Sequence, residues 1–450
     1  MSIVRRLWSM PSWKWAFGSW LAVKAIHMAL WTAAGLGIQG DVMYYYNHTS
    51  AHWAGTPLSE TLVEYPTPVV WILMLPLMIP GAQYSYLFGF ILMTWLLDAA
   101  FAIALWRTGG EHRVEALRMW LVFVLLMGPL LYMRFDVLPS VLVGAAILVN
   151  ATRPALAGSL LGWGAATKLW PAALLPTQWT GDGNRIMRSL AGALGTGAAL
   201  VALSLIFGGW DRLISPLGWQ SDRGLQVESV AATPAMLSRI FFGDHQIGMA
   251  FNAYEVFGPL TGPMLTLSSI VTVVGFALIV AGAVVWVRRG RGSLPGVLLL
   301  LAVVTVLVVG NKALSPQYMI WLGAPLAAAL ALRGQPHYWA DGEDAAEHGA
   351  ALRSLAMQVL LITALTQLVY PLTYSWLVHD HPLTGVAAAI LAVRNVLLVV
   401  FAVSLGRTLW RTLSAPTGGR DRPVTNSQPD TADTPGITGS GPDTIGTETA

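Results

Sequence analysis

QGDVMYYYNHTSAHWAGTPLSETLVEYPTP, residues 39–68, is the first long polar stretch of the chain, and it follows an apolar run from about Trp15 to Ile38. That run is too long for the core of a signal peptide and is followed by no convincing cleavage site, so it reads as a retained first span. The rest of the composition agrees. With 55% hydrophobic and only 11% charged residues, a 450-residue chain does not suit a water-soluble domain. The fold class expected is an all-α integral membrane protein.

Moving outward, further apolar segments lie at 84–106, 119–133, 137–150, 154–167, 169–180, 186–208, 262–287, 294–310, 315–332, 354–378 and 384–406. A bilayer core takes roughly 20 helical residues. Several segments are shorter, and the reading is of about 12 transmembrane helices. Charge placement sets the expected topology. With the N-terminus inside, alternation puts Arg5, Arg6 and Lys14, then Arg107, Arg113 and Arg118, then Arg185 and Arg188, then Arg288, Arg289 and Arg291, and finally Arg407 and Arg411 on the cytoplasmic face. With Arg153, Arg333, Arg353, Arg420 and Arg422 these make 18 of the 26 basic residues, as the positive-inside rule requires, and both termini come out cytoplasmic.

One segment resists alternation. TPVVWILMLPLMIPG, 67–81, is apolar but short and proline-bracketed; if it crossed, Arg107, Arg113 and Arg118 would fall outside. It reads as a juxtamembrane or re-entrant helix on the outer face. Pro139, Pro154, Pro171 and Pro176 also punctuate short segments, and broken helices inside a membrane usually line a site. The expected organisation is a multispanning domain, 1–411, with outer loops at 39–83 and 209–261, and a disordered cytoplasmic tail, 412–450, rich in Thr, Pro, Gly, Ser and Asp. The 209–261 loop reads as a lid or substrate platform whose PAMLSRIFFG run suits a membrane interface. The inner loop 340–349 reads as a solvated acidic turn.

Several chemistries drop out. There is no cysteine, hence no thiolate nucleophile or disulfide, and a net charge of +3 does not argue for nucleic acid. No phosphate-cradling loop, HExxH or dinucleotide fingerprint is present. The histidines have no convincing metal spacing, although His48 and His52 lie four apart beside Asp41, and neither a cofactor nor a metal is expected. NHT at 47–49 matches a glycosylation sequon of the kind common by chance.

What remains is a set of polar groups gathered at one face: Asp41, Tyr44, Tyr45, His48, Glu60 and Glu64 in the first outer loop, Arg134 and Asp136 after the third span, and Lys168 between two short helices. Residues 223–229, RGLQVES, and 311–318, NKALSPQY, add Arg223, Gln226, Glu228, Asn311, Lys312 and Gln317. Ionisable groups at membrane depth are costly, which makes them functional candidates by default. Each also has a structural alternative. Arg134 and Asp136 can pair, Lys168 can snorkel, and the tyrosines can form an interfacial belt. Lys24, His27, Asp98 and Arg394 lie inside spans, and a buried Asp98 paired with Lys24 or Arg394 is preferred there over a transport role.

GDVMYYY, LVEYPTP, MRFDVLPSVLVGAAIL, AGSLLGWGAATKLWPAALLP, RGLQVESVAAT and NKALSPQYMIWL, in this order over residues 39–325, resemble the succession found in glycosyltransferase family 87 of the GT-C superfamily. These are polyprenyl-phosphate-mannose-dependent mannosyltransferases known chiefly from actinobacteria. The resemblance implies a GT-C type polytopic bundle in the cell membrane and mannose transfer on the extracytoplasmic face. It also implies an acid of the first outer loop as base, which falls on Asp41, with Glu64 a weaker claimant. Lys168, Arg134, Arg223 and Lys312 are then the cations available to a lipid-linked phosphate. Tyr44, Tyr45, His48, Glu64, Asp136, Gln226, Glu228, Asn311 and Gln317 are candidates for contacts with sugar or acceptor, and Trp53 offers a further stacking surface. Expected partners are a polyprenyl-phosphate sugar and a glycolipid acceptor, such as a phosphatidylinositol mannoside or a lipoglycan. Arabinofuranose transfer and a polytopic transporter remain open as alternatives. A transporter should show internal repeats and a midplane site, neither of which the sequence suggests.

Overall fold

The computed structural model describes residues 12–35, 37–180, 183–221, 223–290, 292–333 and 345–414. Arg5, Arg6 and Arg291, residues 340–344 of the acidic loop, and the tail from 415 onward lie outside these. The helices, in order, are α1 (Trp13–Ala34), α2 (Gly40–Trp53), α3 (Thr67–Met74), α4 (Gln83–Thr108), α5 (Arg113–Met127), α6 (Val137–Val149), α7 (Pro154–Thr167) and α8 (Gly183–Ser221). There follow α9 (Thr233–Phe242), strands β1 (Gln246–Ala250) and β2 (Ala253–Phe257), then α10 (Thr261–Arg288), α11 (Ser293–Val309), α12 (Ile320–Leu332), α13 (Ala345–Gln367), α14 (Tyr374–Val378) and α15 (Thr384–Ser414).

Among the described residues, 6 helices are long and apolar enough to cross a membrane: Gln83–Thr108, Gly110–Met133, Gly183–Pro216, Thr261–Arg288, Gly349–Leu372 and Thr384–Ser414. The expected twelve are therefore not all matched by spanning helices. The reason is length. A helix of 13 residues such as α6 or α12 is about 20 Å long, short of the roughly 30 Å hydrocarbon layer. Three of these pieces adjoin tight 3₁₀ turns opened by proline: Gly128–Met133 before α6, Trp170–Gln178 after α7 and Pro316–Met319 before α12. All 13 residues of α12 are buried. The outermost helices are the reverse, since only 6% of the most apolar window of Thr261–Arg288 is buried inside the protein and the rest offers Val273, Leu278 and their neighbours outward. An apolar exterior around a core that contains the charges is the pattern a lipid solvent selects.

Glycine sets the closest helix contact. Gly158 and Gly162 on α7 face Ser189, Gly192 and Ala193 on α8, and a Cβ on Gly158 would lie 1.8 Å from the Ser189 carbonyl oxygen. Small residues four apart allow two backbones to touch in this way. α8 then kinks at Gly209, whose φ is 71°.

Segment 67–81 is short, as expected. It forms α3 and a 3₁₀ turn, Leu75–Met78, with Val69, Val70 and Leu73 fully buried, so its apolar side faces protein. The 209–261 loop departs from the all-α expectation. Residues 246–257 form an antiparallel hairpin with Ala250 opposite Ala253, and Leu225–Val227 runs along β2 through Val227 N–H to Tyr254 O (3.1 Å) and Val256 N–H to Leu225 O (2.9 Å). The PAMLSRIFFG run is α9, with Met236 buried and Phe241 and Phe242 exposed.

Within the spans, Asp98 pairs with Lys24 and accepts hydrogen bonds from Trp20 (2.9 Å), Trp120 (2.6 Å) and Tyr132 (2.9 Å). The pairing expected of Asp98 is thus made with Lys24. Arg394 goes elsewhere, to Glu228.

Candidate active site

The stretch 39–68 is largely helical rather than a loop. Asp41 sits in the first turn of α2, where the helix dipole favours a carboxylate. Arg134 reaches it from the extended residue that links the Gly128–Met133 turn to α6. Its Nε lies 3.2 Å from Asp41 Oδ2, and its terminal nitrogens donate to the carbonyls of Ile38 and Met133 (3.0 Å each) and to the Tyr370 hydroxyl (3.4 Å). Burial, the largest single influence, would lower the guanidinium pKa, but Asp41, Tyr370, Tyr45 and Asp136 together outweigh it and the net shift is upward. Arg134 is thus a fixed cation, and it holds one edge of Asp41. The Asp41 side chain remains 39% exposed.

A second pair lies close by. Lys168, in extended backbone at the end of α7, places its ammonium 2.6 Å from Asp136 Oδ1, the same oxygen that accepts from Trp321 Nε1 at 2.7 Å. The ammonium also faces the rings of Trp321 and Tyr318, 5.4 and 5.7 Å from their centroids. The third pair is deeper. Glu228 is 1% exposed, with Arg394 3.8 Å from its carboxylate, and Arg394 also donates to the Glu228 carbonyl (2.9 Å). Burial pushes the Glu228 pKa up to about 7 against the pull of Arg394 and Arg134. Asn395 donates to the Ser229 carbonyl and Thr233 hydroxyl, so α15 holds the 224–233 segment in place.

Around Asp41 the tyrosines divide. Tyr45 is 1% exposed, and its hydroxyl meets that of Tyr65 at 2.9 Å. It therefore offers no ring face to a sugar, contrary to expectation. Burial raises the pKa of both phenols, so they serve as neutral hydrogen-bonding groups. Tyr44 is half-buried, its ring tilted against that of His48 with centroids 4.4 Å apart, and it has its hydroxyl between the Glu64 carboxylate and the Asn252 side chain. Trp53 is 75% exposed.

The remaining candidates are less central. Asn311 turns its Oδ1 back to the N–H of Ala313 (2.9 Å), and Gln226 is buried, its N–H on the Lys312 carbonyl (3.0 Å) and its amide 3.5 Å from Ser315 Oγ. Gln317 lies in the 3₁₀ turn before α12. Arg223 begins the segment that runs beside the hairpin.

Sequence reading gave no role to Arg212. It is 2% exposed, and its guanidinium donates to the carbonyls of Leu58, Thr61 and Leu62 and to Ser215 Oγ, at 3.0–3.1 Å. Leu62 sits at φ 48°, an unusual backbone for a leucine. Arg212 thus fixes the turn that delivers Glu64 and Tyr65. Its partners are about 150 residues away in sequence, and no local pattern signals them.

These features define a membrane protein with three carboxylate–cation pairs gathered around Arg134. The sequence profile described as Glycosyltransferase family 87 matches residues 65–310, more than half of the chain, and the chain belongs to that family. It is a glycosyltransferase. No curated protein matches it. The profile match begins at Tyr65, downstream of Asp41 and Glu64.

Proposed function

We propose that the protein transfers mannose from a polyprenyl-phosphate-mannose donor to a glycolipid acceptor, of the phosphatidylinositol mannoside or lipoglycan kind, on the extracytoplasmic face of the cell membrane. Asp41 is the base. The observation that carries this is the contrast among the acids near Arg134: Asp136 and Glu228 are buried, whereas Asp41 has one oxygen on a fixed cation and a side chain open to an incoming hydroxyl. Held in this way, Asp41 takes the acceptor proton as the acceptor oxygen bonds to the anomeric carbon and the bond from that carbon to the phosphate oxygen breaks. The phosphate leaves already ionised and needs no acid. Attack opposite the leaving group inverts the centre, so a β-linked donor yields an α-mannoside.

Lys168, the partly exposed partner of Asp136, is the cation assigned to the leaving phosphate, and Leu169, the residue after it, lines an apolar cavity of about 340 Å³. Pro66 and Pro68, Ala165 and Leu169, and Leu200 and Leu213 line that cavity. It lies between α7 and α8, and its apolar lining suits an isoprenoid chain.

Purified protein in lipid nanodiscs, given radiolabelled polyprenyl-phosphate mannose and a panel of lipid acceptors, should form a mannosylated lipid. Absence of product, alongside transfer from a polyprenyl-phosphate arabinofuranose, would reassign the donor.

A further inference from the structure

The hairpin Gln246–Phe257 leans over α2. Its two-residue turn, Phe251–Asn252, has φ values of 48° and 58°, the left-handed backbone that a tight hairpin of this twist demands. Phenylalanine rarely accepts that backbone, whereas asparagine tolerates it. The turn presents the Asn252 side chain to the Tyr44 hydroxyl, which also meets Glu64. Just beyond the turn, Tyr254 stands edge-on to Tyr374 (6.0 Å between centroids) and to His379 (5.8 Å), with its hydroxyl 3.5 Å from His379 Nε2. Tyr374 is edge-on to Tyr370 at 5.0 Å, and the Tyr370 hydroxyl accepts from Arg134, the cation that holds Asp41.

A continuous aromatic line therefore runs from the candidate base out to His379, which is exposed. Its chemistry is mixed. Ring surfaces alternate with phenolic hydroxyls, an imidazole and an amide, and the exposed Asp380, paired with Arg239 at 3.1 Å, closes the far end. An acyl or isoprenoid chain finds too many polar groups along this line. A pyranose suits it, because its C–H face packs on a ring while its hydroxyls reach the polar tips.

We propose that Asn252 and Tyr254 of the hairpin, with Tyr374 and His379 opposite, form a subsite for the saccharide of the acceptor, which holds the sugar next to the hydroxyl that attacks. This rests on the glycosyltransferase reading of Asp41. It explains why an otherwise helical protein carries a hairpin at this place: the turn presents an amide, and the strand that follows it presents a phenol two residues on.

Saturation-transfer NMR with mannotriose on the nanodisc protein tests it. The wild type and Asp41→Asn should both show saturation of the trisaccharide, with binding weakened about tenfold in Tyr254→Ala and in His379→Ala. His379 is exposed, so that variant folds, and unchanged melting temperatures verify it for both. Equal binding by all four proteins, or none by the wild type, overturns the subsite. In turnover, His379→Ala should raise KM for a glycosylated acceptor about tenfold, with kcat and the donor KM within twofold. A fall in kcat at constant KM contradicts the proposal. The NMR measurement needs no donor, so a wild type that binds mannotriose but forms no product from polyprenyl-phosphate mannose would contradict the mannose-donor reading and leave the subsite standing.

Discussion

Asp98 and Asp41 are two acids on helices, each beside a basic partner, and they differ in what is left unused. Asp98 is fully buried, with Lys24, Trp20, Trp120 and Tyr132 all on its two oxygens. Full burial and four fixed partners close it to a substrate. Asp41 has the Arg134 contact at 3.2 Å and keeps over a third of its side chain open. The saturated acid joins α1, α4 and α5 together. The open one can accept a proton. Within one membrane protein, the number of fixed donors separates a structural carboxylate from a chemical one better than depth or proximity to a cation does.

The comparison is broken most severely at Asp98. Asp98→Asn leaves Lys24 without its counter-charge inside the bundle and should cost about 3–5 kcal/mol. The readout is a large fall in melting temperature in nanodiscs, with near-normal transfer per folded molecule. A variant that folds normally but transfers nothing would place Asp98 in the chemistry.

Glu228 sharpens the contrast from the other side, as a buried acid with too few donors. Its pKa, about 7 when folded against an ordinary value of 4.5, is raised, so the folded state holds the extra proton between those values. The stability that this proton contributes is fully present below pH 4.5 and is lost as the pH rises toward 7. The loss is at most about 1.4 kcal/mol per pH unit. Denaturation followed from pH 4.5 to 7.5 should show this slope in the wild type and a flatter curve in Glu228→Gln. Parallel curves would mean that Glu228 is already ionised throughout.

Much of the architecture was legible. Composition specified a membrane protein, and the scarcity of intramembrane charge made Lys24 and Asp98 natural partners. Arg134, Asp136 and Lys168 stood out because cations and acids at helix breaks need partners. Other features had no local signal. Arg394 serves Glu228 rather than Asp98, a choice set by the packing of α15 against the 224–233 segment. The hairpin was hidden because QIGMA and AYEVF are short and joined by Phe-Asn, without the glycine that usually marks such a turn. Arg212 was hidden for a different reason. It binds backbone carbonyls, which carry no residue identity at all. The count of spans is matched only in part by long apolar helices, because apolar composition registers burial as strongly as lipid contact, and α12 is buried in protein along its whole length.

The most direct test of the central claim is the rate of mannose transfer by Asp41→Asn, measured beside its melting temperature and its affinity for the lipid donor. The account predicts a loss of about 10²–10⁴-fold in kcat, the usual contribution of a general base, with the melting temperature and donor affinity retained. Wild-type turnover by a well-folded Asp41→Asn protein would contradict it.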